Sequence, residues 1–351
     1  VPRSLLAAIV REEDLDRQLQ TLQRAQLLRE RARLPEAEYI FKHQLTQEAT
    51  YSTLLRRKRR TLHRRVAEAI EQHDRDRIEE QLGLLAHHWD HAGDADRAVH
   101  YLQRAGERAT AQYSNEEAVV YYSRALELLP PDATRRRYDL LLARESVCDV
   151  LGHREQQQED LARLAELAGR LNEPGLQAEV ALRRAHYGIR VSDFSLASRA
   201  AREAVSLADA LDDARTRAMA YRELGRAFQR ERMYEEARDA LERACRLASA
   251  AALSDVQIKA LHSLGALGLM TFEPTLAGSC WKQELKLCRR TGDRRGEAEA
   301  LRDVGSYYFD WEGKSLKAIE YLAQSLRACR EIGDRGAEMW GLMRMGDVKL
   351  E

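Results

Sequence analysis

The sequence predicts an all-α chain, a right-handed solenoid of helix hairpins behind a small mixed segment, and three observations carry that expectation. Nineteen Gly and six Pro in 351 residues, with aromatics at 6%, supply too few turn and strand formers for a sandwich, barrel or large sheet. A length of 351 exceeds the roughly 250–300 residues that one hydrophobic core serves, so several domains or an elongated array are needed. Small residues recur every 40 positions through the second half, which selects the array.

Composition also removes function classes. Lys plus Arg equals Asp plus Glu at 57, so no global field draws the chain to nucleic acid. Arginine outnumbers lysine 49 to 8, which we attribute to codon usage rather than phosphate recognition. No apolar run approaches the roughly 20 residues that span a bilayer and no signal peptide is visible, so a soluble, cytoplasmic location is expected. Cys148, Cys245, Cys280, Cys288 and Cys329 are odd in number and lack a CxxC pair, which suits reduced core thiols. The chain opens at Val1 in what reads as the middle of an element and stops inside a helical pattern, so an excised piece of a longer protein is expected, with Leu350 and Glu351 readable as a cloning remnant.

Residues 1–76 read as a separate segment. A short helix (4–10) and a second one (about 14–28, apolar at Leu15, Leu19, Leu22 and Leu27) precede a two-stranded wing. The wing runs over 27–31, turns near Pro35 and returns through Tyr39, Ile40 and Phe41. A helix then leads into the basic run Arg56-Arg57-Lys58-Arg59-Arg60, whose stripe Leu55, Leu62, Val66 and Ile70 buries one face.

From residue 77 the pattern is repetitive. Gly225, Gly265, Gly305 and Gly346 stand 40, 40 and 41 apart, and Ala185 holds the same register one period earlier. Each begins a pair in which a second helix follows with small residues seven apart: Ala197 and Ala204, Ala237 and Ala244, Ala318 and Ser325. Small residues let two helix axes approach, and a large residue such as Leu241 or Leu322 fills the groove beside them. Asn172, Asp213, Gly292-Asp293 and Gly333-Asp334 supply stops and caps. Earlier pairs use Leu82, Leu85, Ala86, Trp89, Ala98, Leu102 and Ala105, then Gly106, Ala118, Ala125 and Pro130, sharing the helix over about 95–112. The stretch 135–172 is a degenerate pair with Leu161, Leu164 and Ala168 as its core, because Asp149 sits where a small residue is expected.

Gly106, Ala118, Ala125 and Pro130 give the array its resemblance to tetratricopeptide repeats, over about 78–351 and with a period of 40 against the usual 34. Residues 1–76 resemble the winged-helix segment that follows the nucleotide-binding core in bacterial STAND-type signalling ATPases, on the string Phe41, His43, Leu45, Glu48, then Leu62-His63 and Leu85-Ala86-His87-His88-Trp89. Many such ATPases are fused to nucleotidyl cyclases or transcription regulators. The resemblance implies two parts: 1–76, winged-helix-like with a linker helix, and 77–351, a repeat array truncated at its C-terminus. It implies a sensor or scaffold arm that regulates an upstream ATPase or cyclase in signal transduction; because the residues show no phosphate loop and no Ser/His/Asp or Cys/His order, the arm itself is expected to be no enzyme and to hold no cofactor.

Several stretches invite a chemical reading. Gly313-Lys314-Ser315 imitates the tail of a phosphate loop, but Tyr308 stands where its first glycine belongs. The basic run invites nucleic acid, yet the helix that would enter a groove opens with Glu12, Glu13, Asp14 and Asp16, which repel phosphate. The run therefore reads as a solvated face or a partner for the ATPase. His87 and His91 share a helix face, but no third ligand of fitting spacing follows, so no metal is expected and the histidines read as helix surface. Cys280 and Cys288 read as core thiols.

What remains is a concave wall. In such arrays the first helix of each pair lines the inner side. Steps of three or four from each small residue place His186 and Arg190, then Arg222, Arg226, Gln229 and Arg230, then His262, then Arg302 and Phe309 there, with Leu182, Ile189, Leu269 and Met343 as apolar patches. That composition suits a protein or peptide partner bearing carboxylates, or an anionic small ligand. A DNA-binding regulator using the basic helix and a passive oligomerisation scaffold are the rival readings.

Overall fold

Apolar residues spaced by three and four build eighteen α-helices among the described residues, and the only sheet there is a two-stranded ribbon. The computed structural model describes residues 1–10, 14–32, 37–73 and 75–350. Glu12, Glu13 and Pro35 lie outside them. The chain folds as two compact units, Val1–Asp160 and Leu161–Glu351.

The first unit opens with α1 (Arg3–Val10) and α2 (Leu15–Arg24). Helix α2 is shorter than its apolar spacing predicts: Gln26 turns left-handed at φ 61°, and the Leu27 amide closes the turn on the Leu22 carbonyl. Strands β1 (Leu28–Ala32) and β2 (Glu38–Phe41) pair antiparallel, Leu28 facing Phe41 and Glu30 facing Tyr39, with a bulge between Glu30 and Ala32. Helix α3 (Gln44–Thr53) buries no side chain. The basic helix α4 (Arg56–His73) starts after Leu55, which is 78% exposed and so not part of the buried stripe; Ile70 is fully buried.

A 3-10 stretch (Arg75–Gln81) leads to α5 (Leu82–Ala92), α6 (Ala95–Ala111), α7 (Asn115–Leu128), α8 (Thr134–Leu151) and α9 (Arg154–Leu171), on which the unit boundary falls. Glu71 ties α4 to α5 and α6, because one carboxylate oxygen accepts from Trp89 Nε1 at 2.9 Å and from the Tyr101 hydroxyl at 2.8 Å. Gly106 is needed where the Tyr122 ring crosses α6: a Cβ there would stand 2.6 Å from the ring. In the degenerate stretch polar groups take over core positions. Arg144 donates twice to the buried Asp160, at 2.9 and 2.6 Å, and Gln157 donates to Glu145 at 2.7 Å. Asp149 turns to Arg154, 2.7 Å away.

The second unit holds the regular pairs: α10 (Pro174–Arg190) with α11 (Phe194–Leu211), α12 (Ala214–Arg230) with α13 (Tyr234–Ala250), α14 (Ser254–Met270) with α15 (Pro274–Thr291), and α16 (Arg294–Asp310) with α17 (Ser315–Ile332), then α18 (Arg335–Leu350). The glycine register explains the pairing. A Cβ on Gly225, Gly265 or Gly305 would stand 2.6 Å from Leu241, 2.5 Å from Trp281 or 2.9 Å from Leu322, so these positions are where the second helix leans on the first. Left-handed Asn172, Asp212, Gly292 and Gly333 end helices, and Asp193, Asp213, Asp293 and Asp334 cap the next ones through backbone amides. The fold is a tetratricopeptide-like array of helix hairpins.

Candidate partner-binding wall

First helices in the second unit follow one another side by side: α10 touches α12, α12 touches α14, His262 of α14 reaches Asp303 of α16, and α16 touches α18, in addition to their own partners. His186 and Arg190 stand on α10, Arg222, Arg226, Gln229 and Arg230 on α12, His262 on α14, and Arg302 and Phe309 on α16. Leu182 and Ile189, expected as apolar patches of the wall, are instead 9% and 7% exposed. Leu182 packs against Ala204 and Ala220, and Ile189 against Ala197 and Ala227, because a stripe wide enough to hold two neighbours leaves little aliphatic surface inward.

The arginines do not form a row of open guanidinium forks. Glu223, buried on α12 itself, is ion-paired by Arg222 and, at 2.8 Å, by Arg226, while His186 Nδ1 stands 3.9 Å away. Burial pushes the Glu223 carboxyl up, but the imidazole and the two guanidiniums outweigh it and hold it at about 2. Arg222 also donates to the Lys259 carbonyl at 3.2 Å, and Arg302 to Asp303 at 3.0 Å. Gln229 donates to the Met270 sulfur at 3.0 Å. Phe309 is half-buried, with the Arg344 guanidinium 5.9 Å from its ring.

A second acidic group lies behind α14. His262 Nδ1 stands 3.4 Å from Glu284 of α15 and 3.5 Å from Asp303 of α16. The Glu284 carboxylate beside it raises the His262 pKa against the effect of burial; burial in turn raises Glu284, and both His262 Nδ1 and the second Glu284 oxygen are buried without a hydrogen-bond partner. Sequence spacing marks none of these carboxylates, since the chain has 57 acidic residues and nothing distinguishes the inward ones.

Arg190, Arg226 and Arg230 converge instead at one end of the layer. With Ile189, Ser192 and Phe194 they line a cleft of about 280 Å³ between the ends of α10 and α12, and no carboxylate is among those six. Arg190 and Arg230 are exposed. Phe194 and Ser192 sit at the turn into α11, where a search along first-helix steps does not reach.

The other sequence candidates fall elsewhere. Gly313 is a left-handed turn residue between α16 and α17, and Lys314 pairs with Glu312. Burial pushes the Cys280 thiol up to about 11 and that of Cys288 to about 12, so neither is a nucleophile at neutral pH. Within the basic run Arg59 is spent on the end of α3, donating to the Ser52 and Leu54 carbonyls at 2.6 and 2.8 Å. Among the described residues no helix is long and apolar enough to cross a membrane.

No family model matches the chain. An uncharacterized protein of Rhizobium meliloti (strain 1021) is 34% identical over 99 residues, 28% of this chain and 10% of that protein, so the chain spans about a tenth of the length of the curated relative it matches. Among solved structures, a signal transduction ATPase with numerous domains (STAND) with a tetratricopeptide repeat sensor, from Pyrococcus horikoshii, superposes over 100% of this chain and 57% of its own at TM-score 0.56 and 12% identity. A Rap protein complexed with competence and sporulation factor covers 86% and 90% at TM-score 0.53 and 13% identity. Aspartyl phosphate phosphatase F from Bacillus subtilis covers 88% and 81% at TM-score 0.55 and 12% identity. At these identities the likeness is one of fold, the stacked helix hairpin.

Proposed function

We propose that the Leu161–Glu351 unit is a non-catalytic binding arm for a protein segment or peptide bearing carboxylates, and that this binding regulates a nucleotide-switch ATPase or cyclase in the same longer protein. The observation that carries the first part is the cleft where Arg190, Arg226 and Arg230 meet beside Ile189 and Phe194. Forked guanidiniums pair bidentately with a carboxylate, and the half-buried Phe194 ring gives a flanking side chain somewhere to pack. Two fold neighbours support the wider reading: one is an ATPase with a tetratricopeptide repeat sensor, the other a Rap protein in complex with competence and sporulation factor. The regulatory step is conformational, in that a partner preferring one arrangement of the hairpins shifts the population towards it. The winged-helix identity of residues 1–76, the concave-wall residues and the contact with an upstream ATPase belong to the same proposal.

Fluorescence anisotropy of a labelled acidic peptide on the whole chain tests the arm. The double variant Arg190→Ala, Arg230→Ala should weaken binding by at least about tenfold, since charge-assisted bonds each contribute about 1.5–3 kcal/mol. Unchanged affinity in that variant removes the cleft from the account. A duplex mobility shift that falls steeply with salt, lost when Arg56, Arg57 and Lys58 are changed, would favour the DNA reading instead.

A further inference from the structure

The histidines that read as helix surface in the sequence gain a partner from another helix. His63, mid-way along α4, brings its Nδ1 to 2.8 Å from Nδ1 of His88 on α5, and one ring nitrogen from each of His63, His87 and His88 lies within 4.8 Å of the others. His91 completes a ring: its centroid is 5.0 Å from His63 and 4.1 Å from His87. We propose that His63, His87 and His88, with His91 as the fourth donor, bind one divalent transition-metal ion of the zinc class and that this ion pins α4 to α5.

Several features of the cluster favour a cation over simple packing. A tetrahedral zinc site with nitrogens at roughly 2.0–2.1 Å holds its donors about 3.4 Å apart, a spacing that falls between the 2.8 Å separating His63 and His88 and the 4.8 Å that bounds the three rings. Supporting partners stand at the outer ring nitrogens, where they can take the proton that metal binding requires the inner nitrogens to lack. The Tyr51 hydroxyl lies 3.0 Å from His63 Nε2, so Nδ1 is the nitrogen turned to the cluster, and His91 Nδ1 donates to the His87 carbonyl at 2.9 Å, so Nε2 is the nitrogen it can offer a metal. His87, His88 and His91 occupy the last two turns of α5, where the helix dipole favours positive charge. An all-imidazole set suits zinc, nickel, copper or cobalt and not magnesium or calcium.

The test is zinc titration of the whole, tag-free chain by calorimetry, with cobalt as a spectroscopic probe. The proposal expects one zinc per chain and a cobalt spectrum with the strong visible bands of four-coordination. His63→Ala and His88→Ala should each weaken zinc by more than the roughly 10–100-fold that loss of a supporting partner costs, Tyr51→Phe by about tenfold, and His100→Ala, outside the cluster, not at all. Zinc should also protect these four histidines, and not His100, from acylation in the wild-type chain, a readout that needs no variant to fold. Absence of saturable zinc uptake, uptake unchanged by His63→Ala and His88→Ala, or acylation indifferent to zinc would each overturn the site.

Discussion

Two buried carboxylates, Glu223 within the layer of first helices and Glu284 on a second helix, are shifted in opposite directions. Glu223 meets two guanidiniums and an imidazole and is held at about 2; Glu284 is equally secluded but meets one imidazole, which Asp303 shares, and burial lifts it. Desolvation is common to both, so the number of counter-charges decides the sign. The lesson for the wall is that Arg222 and Arg226 are largely committed to holding Glu223 charged, which is why the proposed docking of an acidic segment is placed at the cleft lined by Arg190 and Arg230.

The largest break in this comparison is Glu223→Gln. It leaves two guanidiniums facing inward without their counter-ion and should cost about 2–4 kcal/mol at pH 7, read from the urea midpoint. Next is Gly265→Ala, beside the Glu284 group. Its Cβ would meet the Trp281 ring at 2.5–2.9 Å, and a rigid ring cannot step aside, so about 2–3 kcal/mol is expected; Gly225→Ala, against the more adaptable Leu241, should cost about 1–2 kcal/mol. Glu284→Gln should change stability by less than about 1 kcal/mol, because burial already disfavours its charge. Arg230→Ala should be silent in stability within about 0.5 kcal/mol while weakening peptide binding.

Acid titration separates the two carboxylates by sign. The folded pKa of Glu223 lies below its ordinary 4.5, so its contribution is complete above about pH 4.5 and is lost as pH falls towards 2. Glu284 and His262 are raised, so their contribution is greatest at low pH and is lost as pH rises through their folded values, beyond 4.5 for the carboxyl and beyond 6.5 for the imidazole. Glu223→Gln should therefore flatten the acid limb of a melting-temperature profile, and Glu284→Gln the decline towards neutral pH. Matching profiles for the two variants would sink the comparison.

The periodic part of the molecule is legible from sequence because one physical demand, close approach of two axes, repeats every 40 residues and leaves glycine or alanine behind. Gly225, Gly265 and Gly305 each face a large residue sixteen or seventeen positions on, and the caps at Asp213, Asp293 and Asp334 follow the same beat. The degenerate pair is legible only as helical: Arg144 and Asp160 occupy core positions as a bidentate pair, and charged residues in an arginine-rich chain resemble surface. The wall is half legible. First-helix steps find Arg190, Arg226 and Arg230 but not the acids that occupy their neighbours, because which carboxylate turns inward depends on the next hairpin. His63 escapes for a similar reason, lying 24 residues and one helix away from His87.

The central claim is that the cleft at the α10 and α12 ends, rather than the arginines gathered around Glu223 and Asp303, receives an acidic segment. Side-chain Nε–Hε resonances of arginine, followed by NMR as hexaglutamate is added to the whole chain, test it most directly. The account predicts saturable shifts at Arg190 and Arg230, little change at Arg222, Arg226 and Arg302, and a midpoint that weakens with salt. Shifts confined to Arg56, Arg57 and Arg60, or spread evenly over the surface arginines, would contradict it.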